Sequence, residues 1–119
     1  MLLDFWATWC APCRAERTYV RRAYEQFRPQ GLDVIGISLD AIQRVPAARL
    51  AAFAKEQQMP WPQIYGEGPA IAARYGVSTI PAAFLISGDT GAILASGDEL
   101  RGEALLRTID QHVKSTVRH

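Results

Sequence analysis

Two cysteines, two histidines and no long apolar run are the chief scarcities of this sequence, and each removes a class of function. A structural zinc site needs four ligands, and beyond the cysteines only His112 and His119 remain, at no recognisable ligand spacing, so no metal is expected. No stretch approaches the roughly 18 apolar residues of a membrane-spanning helix, and no membrane contact by this segment is expected. Thirteen Lys and Arg against 12 Asp and Glu leave a net charge of +1 with no block of one sign, which argues against nucleic acid as a partner. Glycine-rich phosphate loops, nucleotide fingerprints and Ser/His/Asp arrangements are all missing, so no cofactor is expected.

What is there suits one domain over residues 1–119, since 49% hydrophobic content can fill one core but a chain this short seldom divides. The order of elements reads as α/β. Leu2 to Trp6 has the look of a buried strand. MLLDFW lacks the basic region and cleavage site of a signal peptide, and because chains seldom open mid-strand a truncated start is expected, with any export signal or anchor upstream of Met1. Ala11 to about Phe27 predicts an amphipathic helix with Ala15, Tyr19, Ala23 and Phe27 on one stripe, widened by Val20 and Tyr24. Leu32 to Ser38 is rich in β-branched residues and predicts a strand. A second helix is expected with Pro46 in its first turn, running to Gln58, then a short extended piece over 63–65. A short helix from Pro69 to Tyr75 should end with Gly76 at C′. Ala82 to Ile86 and Ala92 to Ser96 predict an antiparallel hairpin, and Gly102 to about Ser115 a last helix presenting Leu105, Leu106, Ile109 and Val113.

The strongest chemical signal is Cys10-Ala11-Pro12-Cys13, directly after a strand and opening a helix. Unpaired N–H groups and the positive dipole end at a helix start favour a thiolate, so Cys10 is expected to ionise below the ~8.5 of a free cysteine. Cys13, one turn on and facing inward, should be less exposed. Thiol–disulfide exchange then assigns Cys10 as the attacking sulfur and Cys13 as the resolving one. Two incidental buried cysteines are the bland alternative.

The segment Phe5-Trp6-Ala7-Thr8-Trp9-Cys10-Ala11-Pro12-Cys13-Arg14 resembles the active-site stretch of thioredoxin-fold proteins, above all the TlpA/ResA-like family. Tyr75-Gly76-Val77-Ser78-Thr79-Ile80-Pro81, followed by Ala82 to Ile86, resembles that family's second motif. The resemblance implies a thioredoxin-like fold: a central mixed sheet of about four strands with helices on both faces, lacking the usual N-terminal extension. It implies a cis peptide at Ile80-Pro81 beside the dithiol, and places Trp9, Pro12, Ile80 and Pro81 on the substrate side. Trp6 is expected in the core.

Asp4 matches the buried aspartate of thioredoxins, which the resemblance casts as a proton acceptor for Cys13; the alternative is a solvent-facing carboxylate near the chain start. Glu16 matches the glutamate of the motif Cys-x-x-Cys-x-x-Glu and would tune the cysteines, against an ordinary surface glutamate between Arg14 and Arg17. Thr18 stands where the family usually has proline. The implied function is a thiol:disulfide oxidoreductase, working as a protein-disulfide reductase on protein or small-molecule disulfides, recharged by an upstream thiol donor, monomeric, and periplasmic or otherwise extracytoplasmic, with a cytoplasmic location as the alternative. Three other readings stay open: a dithiol oxidant, a peroxidase, and a thioredoxin-like binding module of a larger exported protein. The peroxidase lacks its Pro-x-x-x-Thr-x-x-Cys loop here, because Thr8 stands two places before Cys10 with no proline ahead of it.

Overall fold

Strand β1 (Leu2–Trp6) is buried at all five positions, a pattern that requires cover on both sides of the sheet. The structure, a computed structural model, describes residues 1–117, and side-chain surroundings for residues 1–113. His119, weighed above as a metal ligand, lies outside the described residues. After β1 come α1 (Ala11–Phe27), β2 (Val34–Ser38), α2 (Ala47–Glu56), β3 (Gln63–Ile64), α3 (Gly68–Arg74), β4 (Ala82–Ile86), β5 (Ile93–Ser96) and α4 (Glu103–Val117). The sheet order is β3-β2-β1-β4-β5, with β1, β2 and β3 parallel and β4 and β5 joining antiparallel. This is the mixed α/β sheet that the sequence implied, with five strands rather than about four. The fifth is the short piece after Pro62, which pairs Gln63 with Gly36 in register. Gly36 makes room for it, since a Cβ there would stand 2.1 Å from Gln63 Oε1.

Side chains alternate across β1, so Asp4 and Trp6 face one way and Leu3 and Phe5 the other. Trp6 stacks on Phe53 of α2 at 5.8 Å and lies beneath Arg17 of α1, which puts α1 and α2 on the Asp4/Trp6 face. Helix α4 packs against α1. On the opposite face Phe5 meets Phe84 at 5.7 Å and Tyr75, which ends α3, at 5.8 Å.

Several element bounds shift for visible reasons. β2 starts at Val34, not Leu32, because Gly31 turns the chain at φ 101° and Leu32 N–H still donates to Phe27 C=O. Pro46 is the N-cap of α2 rather than a residue of its first turn. Gly76 does sit just past α3 with φ 69°. The stripe of α1 is rotated from the expected one: Cys13, Arg17, Val20, Ala23 and Phe27 are buried, while Ala15 is exposed. Cys13 lies on the inward face of the helix, and Arg17, four positions on, shares that face.

Candidate active site

Cys10 is the N-cap of α1, with extended backbone at φ −92° and ψ 103°. Its sulfur accepts the Cys13 N–H at 3.2 Å, so one of the helix's orphan donors already points at it. The two cysteines are joined as a disulfide with Cα atoms 5.4 Å apart. In this oxidised form Cys10 is 7% exposed and Cys13 4%, so the expected contrast in accessibility is small. The bond draws the Cys10 sulfur toward its inward-facing partner, which accounts for the difference. Pro12 lies exposed in the first turn, and Trp9 keeps 47% of its surface open to solvent.

The loop leading into Cys10 is held by Asp40, a fully buried residue just beyond β2. Its carboxylate accepts the Thr8 N–H at 3.0 Å, the Thr8 hydroxyl at 2.6 Å and the Ser38 hydroxyl at 2.5 Å. Three donors converging on one carboxylate fix the position of the residue two before Cys10. Asp40 draws no expectation from sequence, and Thr8 enters the sequence reading only within the motif stretch and against the peroxidase loop. The available signal was the place of Asp40 past the C-terminal end of a parallel strand, where α/β sheets build their sites.

The Ile80-Pro81 peptide is cis, as the resemblance implied. Trp9, Leu39, Ile42, Val77 and Ile80 line one open, mostly apolar groove of about 480 Å³. Among the described residues the Ile80 N–H and C=O make no hydrogen bond, whereas the Pro81 C=O accepts from Arg101 Nη2 at 2.7 Å. Pro81 also borders a second cavity, of about 210 Å³, shared with Asp4, Glu16, Val20 and Arg101.

Asp4 is 8% exposed, not the solvent-facing residue of the alternative reading. Burial raises its carboxyl from 3.8 to about 7, opposed by the positive charge of Arg17 and assisted by the negative charge of Glu16. Such a group exchanges a proton at neutral pH. Glu16 is half-buried, and its Oε2 accepts the Gly102 N–H at 3.0 Å, tying the second turn of α1 to the entry of α4. This bond is neither of the roles weighed from sequence. Arg17, named from sequence only as a flank of Glu16, is buried at 5% exposure.

A family model described as the AhpC/TSA family matches residues 1–94. The thiol-disulfide oxidoreductase ResA of Bacillus cereus (strain ATCC 10987 / NRS 248) is 28% identical over 114 residues, which cover 96% of this chain and 61% of the relative. The chain therefore spans about three fifths of that relative's length. Among solved structures, the thioredoxin domain of a thiol-disulfide oxidoreductase from Bacteroides vulgatus superposes with TM-score 0.81 at 28% identity, covering 94% of this chain and 77% of that one. A thiol:disulfide interchange protein from Bacteroides sp. gives 0.80 at 28% identity, covering 95% and 72%. With a cysteine pair at a helix start and a cis Ile80-Pro81 peptide, the chain belongs to the AhpC/TSA family, has a thioredoxin fold and is similar to ResA thiol-disulfide oxidoreductases.

Proposed function

We propose that this chain is a thiol:disulfide oxidoreductase acting as a protein-disulfide reductase through Cys10 and Cys13. The reading rests above all on Cys10 as helix N-cap with the Cys13 N–H aimed at its sulfur, an arrangement that favours a thiolate on Cys10 once the bond is reduced. The Cys10 thiolate attacks a substrate disulfide, forming a mixed disulfide and expelling one substrate thiolate. Asp4 takes the Cys13 proton, the Cys13 thiolate displaces the second substrate sulfur, and the Cys10–Cys13 bond closes. Two electrons have passed to the substrate, and an upstream dithiol donor must return them. An extended segment of substrate pairs with the free backbone of Ile80, with Trp9, Pro12 and Pro81 bordering it. Negative charge at Asp4 and Glu16 opposes a strongly stabilised thiolate and favours the reducing direction.

Likeness to ResA supports work outside the cytoplasm. No helix among the described residues is long and apolar enough to cross a membrane. We place the chain as a monomer whose partners are its disulfide substrate and thiol donor.

Turnover of insulin disulfides with dithiothreitol tests the activity, and no acceleration over Cys10→Ser would favour a binding module instead. Cys13→Ser should trap a mixed disulfide through Cys10, and trapping only by the reciprocal variant would reverse the roles. A potential above about −150 mV would place the pair with the strong oxidants of this fold and end the reductase assignment.

A further inference from the structure

Arg17 occupies a site where an apolar residue would be the ordinary choice. It lies four residues after Cys13 on the inward stripe of α1. Its guanidinium stands 5.8 Å from the Trp6 ring centre and 5.1 Å from that of Phe53, and its Nη1 donates to Gln57 Oε1 at 3.3 Å. A guanidinium stays charged in folded proteins, so burying one is costly unless a negative group answers it. Asp4 and Trp6 project to the same face of β1, two residues apart, so the buried cation over Trp6 lies on the same side of the sheet as the Asp4 carboxyl. No ion pair joins them among the described residues, and both side chains are buried, where screening by water is weak.

We propose that Arg17 is a positioning residue for proton transfer between Asp4 and Cys13, its buried charge keeping the Asp4 carboxylate available as a base near neutral pH. The inference rests on the dithiol reading above. The groups around Asp4 are few. Glu16 and Arg101 share its cavity, the Arg17 charge acts on it from α1, and its neighbours across the sheet, Gly36 and Ala83, do not titrate. Arg17 is the largest influence drawing the carboxyl back down against burial, while Glu16 pushes the other way. In the closing step the Asp4 carboxylate takes the S–H proton of Cys13, the Cys13 thiolate forms the bond to Cys10, and the substrate sulfur leaves with the electron pair.

Two measurements on the full chain test this. The first is the titration of the Asp4 carboxyl by carbon-13 NMR. The second is the pH profile of Cys10–Cys13 closure after mixing reduced protein with saturating oxidised glutathione, followed by tryptophan fluorescence. Arg17→Met removes the charge at similar volume, Arg17→Gln is a second uncharged variant should the first not fold, and Arg17→Lys keeps the charge without the planar stacking. An uncharged variant should move both midpoints up by about one pH unit. Closure should then slow about fivefold at pH 7, with little loss well above the midpoint. Arg17→Lys should hold the wild-type midpoints even where its melting temperature falls. Unmoved midpoints in the uncharged variants, equal displacement in Arg17→Lys, or an Asp4 shift with an unchanged closure profile would each overturn the proposal. Failure of the dithiol reading looks different: wild-type protein itself would not close the bond.

Discussion

Replacing Asp4 by asparagine should make the oxidised protein more stable at alkaline pH and not at acid pH. In the unfolded chain this carboxyl ionises near ~3.9; in the fold, burial carries it to about 7. Between those values the native state binds a proton that the unfolded state has released. Stability contributed here is therefore fully present below the unfolded value, is lost as pH rises toward 7, and is level above. Three units at about 1.36 kcal/mol each set a ceiling of about 4 kcal/mol on the penalty that wild type carries at pH 8. The asparagine amide brings new donors into a site beside the Arg17 cation, which offsets about 1–3 kcal/mol of that gain. A net stabilisation of about 1–3 kcal/mol at pH 8, shrinking to nothing or reversing near about pH 4.5, is the expected outcome. Urea unfolding of variant and wild type across this range measures it, and the difference between them cancels the other carboxylates. The oxidised form is the right one because its cysteines do not titrate. A difference that stays constant with pH, or grows toward acid, would refute the account of Asp4.

Glu16→Ala removes the acceptor of the Gly102 N–H and should cost about 1–2 kcal/mol in thermal unfolding, while Glu16→Gln, which keeps an oxygen in place, should lose less than half of that. Asp40→Ala leaves the Thr8 N–H, the Thr8 hydroxyl and the Ser38 hydroxyl without their acceptor; a loss of about 3 kcal/mol or more is expected, with faster amide exchange at Thr8. Gly68→Ala places a Cβ 1.8 Å from the Ser38 carbonyl oxygen and should cost about 2–4 kcal/mol by chemical denaturation, whereas Gly66→Ala, facing open space, should stay within about 0.5 kcal/mol.

Local patterns made the strand–dithiol–helix unit legible, because alternation, N-cap placement and cysteine spacing are all written within a dozen neighbouring residues. The cis proline was reachable only through resemblance, since an isolated Ile-Pro says nothing of its isomer. What escaped was set by partners far apart in sequence. Thr8 meets Asp40 from 32 residues away and Glu16 meets Gly102 from 86, distances over which no periodicity speaks. Arg17 draws no expectation of burial from sequence for a different reason. A charged residue on a helix is ordinarily read as solvated, and only the inward phase imposed by Cys13 overrules that reading. The two-residue strand β3 was too short to carry an alternation of its own, and its pairing depends on the missing side chain of Gly36.

The grip of Arg101 on the Pro81 carbonyl limits what a visiting polypeptide can do. With that oxygen occupied and β4 already flanked by β1 and β5, the visitor meets the unpaired main chain of residues 78–80 instead of an open edge of β4. Under the proposed function, so limited a grip would depend little on the visitor's sequence and would release it readily.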